Sequence, residues 1–164
     1  MKEKAMYPGS FDPFTKGHED IVRRISNFFS EVIISVVDKP NKKILFSTKE
    51  RVEMIESIFD DLPKIKVISY KGLTASFAKN NNISVMIRGI RSISDYEYEY
   101  DLAALNKQIA PNIETIFLST SEKYKSISSS HVKELALLDG DVSKFLHPTV
   151  ASKLVEKLGQ INEN

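Results

Sequence analysis

Four stretches, far apart along the chain, carry groups suited to holding phosphate. The first is YPGSFDPFTKGHEDI, residues 7–21, where two glycines, two prolines and a histidine separate an apolar run from an amphipathic one. Gly17 and His18 stand where the next helix begins. Unpaired N–H groups and the positive end of a helix dipole attract an anion there, and a histidine can donate a hydrogen bond to a phosphoryl oxygen. His18 can equally be a plain polar residue of a first helical turn, a place where its loss leaves folding intact. The second stretch, DKPNKKILFS, offers Lys39, Lys42 and Lys43 either as flexible point charges or as a solvated loop. The third, RGIRS, sets Arg88 and Arg91 around Gly89 at the end of an apolar run, where guanidinium forks suit phosphate oxygens. The fourth, ISSSHVKEL, runs Ser128, Ser129 and Ser130 into an apolar-periodic helix. One serine caps that helix, and the run as a whole adds hydroxyl and N–H donors for an anion.

Other chemistries are excluded. Neither G-x-x-x-x-G-K-[ST] nor G-x-G-x-x-G occurs, so the phosphate chemistry is not of the P-loop or dinucleotide type. There is no cysteine, hence no thiolate nucleophile, thiolate metal site or disulfide. The three histidines are scattered, without zinc-type spacing. Between the third and fourth stretches, SDYEYEYDL is acidic and aromatic. On a helix Asp95 and Glu99 share a face, as do Tyr96 and Tyr100. Glu99 can accept from a ribose hydroxyl or can sit on a solvated face.

The elements that must position these groups alternate between strand and helix. A short strand over residues 5–7 precedes Ile21, Val22, Ile25, Phe28 and Phe29 at helical spacing. EVIISVVD (31–38) is a buried-type strand. Ser47-Thr48-Lys49-Glu50 forms a capping-box pattern opening a helix, with Val52, Ile55, Ile58 and Phe59 on one face. Strands are expected over 64–70, 83–89 and 113–119, and helices over 75–79, 94–109, 129–138 and 148–158. Five strands joined by helical crossovers make a doubly wound parallel sheet with helices on both faces, in one α/β domain spanning 1–164 with its core in about 4–158. Ligands in such sheets sit at the carboxyl ends of the strands, near the point where strand order reverses. All four stretches follow strands.

Together these residues resemble the nucleotidyltransferase superfamily, with its [TH]-x-G-H turn at Thr15-Lys16-Gly17-His18 and its I-S-S-[ST] segment at Ile127-Ser128-Ser129-Ser130. The closer resemblance is to the bacterial-type phosphopantetheine adenylyltransferases, carried by YPGSFDPFTKGH, IRGIRSISDYEYEYDLA and SISSSHVKEL in that order, from about residue 4 to 158. It implies a Rossmann-like fold, Mg2+ brought by ATP with no metal ligand from the protein, and transfer of the adenylyl group of ATP to 4′-phosphopantetheine. The products would be dephospho-coenzyme A and pyrophosphate. The same resemblance implies a homohexamer.

It also implies roles. Ser10 and Phe11 meet both substrates, and His18 contacts the α-phosphate. Lys42, Thr74 and Arg88 bind phosphopantetheine, Ser10 with them. Gly89, Ile90, Arg91 and Glu99 surround ATP, as do Tyr124, Lys125 and Ser126 with Ile127, Ser128, Ser129 and Ser130. His18, Lys42, Arg91 and Ser129 bear on the reacting α-phosphoryl group. Ser10 stands where threonine is frequent and Tyr124 where tryptophan is. Thr74 replaces a usually apolar residue.

Length and an apolar content of 41% suit one core, and a formal charge of +1, from 23 basic and 22 acidic residues, argues against a general nucleic-acid or membrane-surface binder. Residues 1–4 lead into a strand with no apolar signal core, and no stretch reaches the roughly 18 apolar residues of a membrane span, so a soluble cytoplasmic protein is expected. With no evident nucleophile–base pair, direct in-line attack by the acceptor phosphate is preferred, driven by positioning and electrostatics. Related enzymes acting on nicotinamide mononucleotide or glycerol phosphate, and a nucleotide sensor without turnover, are the alternatives. A class I aminoacyl-tRNA synthetase shares the Gly-His turn, but this chain has no room for a tRNA-binding body.

Overall fold

The computed structural model describes residues 3–38 and 44–162, so Lys39, Lys42 and Lys43 lie outside the described residues. Five strands form one sheet: β1 (Lys4–Gly9), β2 (Glu31–Asp38), β3 (Ile65–Lys71), β4 (Val85–Ile90) and β5 (Glu114–Ser119). Their order is β3-β2-β1-β4-β5, and every neighbouring pair is parallel. Parallel neighbours need crossovers. Among the described residues these use α1 (Lys16–Ile25), α2 (Thr48–Glu56), α3 (Thr74–Asn80) and α4 (Ile93–Ile109), and α5 (Ser129–Leu137) and α6 (Pro148–Asn162) follow β5. Winding proceeds from β1 out to β3, then returns to the other side of β1 for β4. The reversal therefore falls between β1 and β4, the doubly wound arrangement expected from the alternation of elements.

Alternation along the strands separates two cores. Ala5 and Tyr7, Val32, Ile34 and Val36, and Val85 and Ile87 pack with α1, α2, α5 and α6. Met6, Ile33 and Met86 face the opposite way, toward Ala75 and Ala78 of α3. β1 is longer than its apolar run and includes Pro8. Its register with β4 covers only Ala5 and Met6, so on that side no ladder bond is asked of Pro8, whose carbonyl accepts from Arg88 instead.

Two helices end earlier than the apolar spacing suggests. α1 stops at Ile25, where the Ser26 N–H turns back to the Val22 carbonyl, and Phe28 is left 72% exposed. Phe29 packs against the core from the following turn. α2 stops at Glu56, so Ile58 and Phe59 are buried from beyond its end. Its own buried residues are Arg51, Met54 and Ile55, while Val52 is only partly buried. The Ser47 capping box forms as its pattern indicates, with Glu50 Oε2 accepting from the Ser47 N–H at 2.7 Å. Among the described residues no helix is long and apolar enough to cross a membrane.

Candidate active site

β1 and β4 diverge into a cleft of about 270 Å³, walled by the turn after β1, the starts of α1 and α5, the end of β4 and the first turns of α4. Two helix N-termini and two arginines thus face one space, which gives it the electrostatics of an anion site.

The start of α1 is built around one imidazole. Thr15 is the N-cap, and its hydroxyl accepts from the His18 N–H at 3.4 Å. In return His18 Nδ1 accepts the Thr15 N–H at 3.0 Å, so histidine takes the place that Glu or Gln usually fills in a capping box. With Nδ1 an acceptor, the neutral ring carries its proton on Nε2. Burial holds the His18 pKa down to about 3, assisted by the charges of Arg91 and Arg88. The ring is therefore a neutral donor throughout the physiological range. It also packs among Phe11, Phe14 and Tyr7, with centroids at 5.2, 5.3 and 6.3 Å. His18 thus has a structural task besides any chemical one.

The preceding turn is held in an unusual shape. Phe11 has φ of 50°, the left-handed region that bulky side chains avoid. A Cβ on Gly9 would stand 2.7 Å from the Phe11 ring, so glycine is required for that ring to lie where it does. Asp12, buried, accepts the Leu45 and Phe46 N–H groups at 2.9 Å each and the Lys133 ammonium at 2.7 Å. Ser129 Oγ donates to the Pro13 carbonyl at 2.8 Å, tying α5 to the same turn, while Ser128 caps α5 by accepting the His131 N–H at 3.0 Å.

Both cleft arginines are fixed by α4. Arg88 donates through Nε to Glu99 Oε2 at 2.6 Å, through Nη2 to Glu99 Oε1 at 2.5 Å, and through Nη1 to the Pro8 carbonyl at 2.6 Å. Three of its five N–H groups are engaged, and two remain. Burial works against the Arg88 charge, but Glu99, together with Tyr7 and Tyr70, outweighs it and the pKa rises. Arg91 pairs with Asp95 at 3.0 Å and donates to the Ile127 carbonyl at 3.0 Å, joining α4 to the loop before α5. Burial also pushes the Tyr7 phenol well above its usual value, against the opposing charge of Arg88, so Tyr7 stays protonated on the cleft wall.

A second compartment of about 550 Å³ opens beside the first. Pro8, Gly9, Ser10, Arg88 and Glu99 line both. Its far wall comes from Asp38, Tyr70, the start of α3, Met86 and the α4 residues Tyr98, Leu102 and Asn106. Thr74 is there, its hydroxyl 2.8 Å from that of Tyr70.

Of the residues singled out in the sequence, the structure gathers Ser10, Phe11, His18, Arg88, Gly89, Arg91, Glu99 and residues 127–130 around the first cleft, and Thr74 around the second. Ile90 continues the sheet, its carbonyl accepting the Thr120 N–H. Tyr124 ends a 3-10 turn (Glu122–Tyr124), places its Cβ 3.6 Å from the position a Gly17 Cβ would take, and lines a separate charged groove with Lys16, Arg23 and His147. Lys125 and Ser126 are exposed outside the cleft lining, and Lys42 lies outside the described residues. Sequence reasoning missed Tyr7, Asp12 and Arg51, and quoted Thr15 only as part of the Gly-His turn. Arg51 left one trace, an arginine at the apolar spacing of Met54 and Ile55. Among the described residues no group of three or more His, Asp or Glu is placed to hold a metal. The cleft carboxylates Asp95 and Glu99 are paired with Arg91 and Arg88.

A model of the cytidylyltransferase-like family matches residues 6–135, which contain all four phosphate-suited stretches. A phosphopantetheine adenylyltransferase of Ralstonia nicotianae is 46% identical over 156 residues, covering 95% of this chain and 93% of its own. The chain belongs to the phosphopantetheine adenylyltransferase family. A second member, from Polynucleobacter necessarius subsp. necessarius, is 43% identical over 160 residues, covering 98% and 97%. As in any phosphopantetheine adenylyltransferase-family protein, the activity is that of a nucleotidyltransferase, a class whose chemistry uses a divalent metal. Two solved structures share the fold. A putative nicotinate-nucleotide adenylyltransferase from Vibrio parahaemolyticus has a TM-score of 0.72 at 17% identity, covering 96% of this chain and 95% of its own. The Plasmodium falciparum nicotinic acid mononucleotide adenylyltransferase complexed with NaAD has a TM-score of 0.66 at 19% identity, covering 99% and 97%.

Proposed function

We propose that this chain transfers the adenylyl group of ATP to 4′-phosphopantetheine, forming dephospho-coenzyme A and pyrophosphate. The observation that carries this reading is the wall shared by the two compartments, where Ser10 and Arg88 border both. Two substrates seated on either side of it would meet end to end. The first cleft, with its helix N-termini, Arg91 and serine run, suits the triphosphate. The second, larger and lined by Tyr98, Leu102 and Met86, suits a flexible arm whose phosphate reaches the two remaining N–H groups of Arg88.

The acceptor phosphate oxygen attacks the α-phosphorus in line, and the bond from that phosphorus to the bridging oxygen of pyrophosphate breaks. A phosphate monoester is largely dianionic near neutral pH, since its second pKa is about 6, so no general base is required. His18 donates from Nε2 to the α-phosphate as charge builds there. Arg91, Lys42 and the Ser129 end of α5 add to that stabilisation, while Thr74 helps shape the acceptor compartment. Mg2+, held by the phosphates of ATP, would supply further neutralising charge.

The proposal extends to a soluble cytoplasmic protein that self-associates, as a homohexamer. Supporting this, α4 buries none of its residues, its Ile93, Tyr98 and Leu105 are exposed, and β5 is an edge strand. The activity is tested by incubating the protein with ATP, Mg2+ and a panel of phosphate acceptors while following pyrophosphate. Release is expected with phosphopantetheine and not with pantetheine, which lacks the nucleophile. Turnover of nicotinamide mononucleotide with none of phosphopantetheine would overturn the assignment.

A further inference from the structure

Behind the cleft lies a cationic side chain that is not itself part of its lining. Arg51 of α2 is 1% exposed. It donates to the Ser10 carbonyl at 2.6 Å, the Val37 carbonyl at 3.1 Å, the Phe46 carbonyl at 3.1 Å and Thr48 Oγ1 at 2.9 Å. Burial lowers its pKa, an effect opposed by Asp12 and Asp38. A buried guanidinium is costly to maintain, and replacing buried charge with apolar groups is often neutral or stabilising. Core stability is thus a weak account of its presence.

Its contacts converge on one small piece of backbone. Ser10 is one of the residues common to both compartments, and its carbonyl carries the shortest of the four bonds. Next to it, Phe11 sits in the left-handed region, a conformation that needs outside support. Arg51 supplies that support from below. Asp12 supplies it from the side, since Arg51 takes the Phe46 carbonyl while Asp12 takes the Phe46 N–H. Lys133 of α5 closes the set by its bond to Asp12. The start of α2, the turn after β1 and the start of α5 are thereby locked to one another.

We propose that Arg51, with Asp12 and Lys133, is a positioning set for the transfer reaction: it fixes the Ser10–Phe11 backbone where the two substrates must align. This rests on the adenylyl-transfer reading. Each substrate keeps its own anchors without the set, and what is lost is their relative placement.

The test compares Arg51→Lys, which keeps the charge but cannot reach all four acceptors, with Lys133→Met, which removes one half-buried bridge and leaves the core intact. Kinetic constants are expressed per folded molecule, well below the melting temperature, beside calorimetric affinities for a non-hydrolysable ATP analogue. In Arg51→Lys kcat is expected to fall roughly 10²-fold, the scale of a 1 Å misplacement, while both KM values and the analogue affinity stay within about threefold. Lys133→Met should shift kcat the same way by a smaller factor. A lower melting temperature with unchanged kcat in either variant would overturn the proposal by reducing the set to a structural role. If Arg51→Lys does not fold, Lys133→Met decides alone. Failure of the wild-type protein to use phosphopantetheine would instead strike the functional reading. The positioning set would then be judged by the same kcat comparison with whichever phosphate acceptor is turned over.

Discussion

At His18 the capping geometry and the chemistry draw on opposite ends of one imidazole. Nδ1 is committed to the Thr15 N–H, and Nε2–H is left for a phosphoryl oxygen. His18→Ala is expected to lower kcat by about 10²–10³, as for loss of one transition-state donor, with substrate affinities little changed. It should also cost about 1 kcal/mol of stability as a lost cap. Wild-type turnover in that variant would remove His18 from the mechanism. The depressed pKa has a further consequence. Folded His18 takes a proton only near pH 3, whereas an unfolded histidine takes one near pH 6.5. Between those values the unfolded chain binds more protons, so the His18 contribution to stability rises with pH through that window and is level above it. Below about pH 4.5 Glu50 acts in the same direction, its pKa lowered to about 2 chiefly by Lys157. Denaturant titrations should therefore show wild-type stability falling from pH 6.5 to 5 with a component of up to about 1.4 kcal/mol per pH unit that is missing in His18→Ala. Parallel curves for the two proteins would count against it. Glu99 offers a second test. Its carboxylate is bidentate to Arg88, and both residues border the two compartments. Glu99→Gln is expected to raise KM for the phosphate acceptor as well as for ATP, by loosening the fork. A change confined to ATP would make Glu99 a nucleotide contact only.

At the scale of elements, what was legible is what is local. The β-branched run 31–38 and the Ser47-x-x-Glu50 pattern became β2 and the cap of α2 because strand burial and capping depend on a few adjacent residues. The helix ends did not follow the apolar period, because the backbones of Ser26 and Ser57 turn back on their own helices and leave Phe28, Ile58 and Phe59 beyond them. Most of the candidate cleft was legible from the stretches at the ends of β1, β4 and β5, while the Lys42 loop lies outside the described residues. The Arg51–Ser10 and Asp12–Phe46 contacts were not, since they join residues more than thirty positions apart and no periodicity reports them. Nor did the sequence show how β4 packs on α1. A Cβ on Gly89 would stand 2.4 Å from Ile21 Cδ1 and 3.3 Å from the Tyr7 hydroxyl, and Ile21 is itself fully buried. Gly89→Ala is therefore expected to destabilise by about 1–3 kcal/mol through overpacking. It should also lower kcat, because Ile21 lies three residues after His18 on α1. Gly17→Ala meets only ordinary contacts at 3.6 Å and should fold close to normally. Equal melting temperatures for the two variants would contradict this packing argument.

For the whole molecule the outstanding feature is a helix of seventeen residues that buries none of them. A surface helix ordinarily turns an apolar stripe to its own core. Here Ile93, Tyr98, Tyr100, Leu105 and Ile109 remain exposed, and β5, whose Phe117 packs on Tyr96 of α4, is an edge strand. Apolar patches of this kind on an edge mark association surfaces. The same helix supplies Asp95 and Glu99, which fix Arg91 and Arg88. Burying its outer face against further copies would therefore steady both cleft arginines from behind, coupling assembly to catalysis. Light scattering at micromolar concentration is expected to give the mass of six chains for the wild type and a smaller one for Leu105→Glu. That variant should also show a raised KM for the acceptor, since Leu105 adjoins Asn106 of the second compartment and follows Glu99 by less than two turns. Specific activity of the wild type should in turn fall on dilution through the dissociation range. A wild-type protein that scatters as a single chain at full activity would sever assembly from the site and leave the α4 face to some other partner.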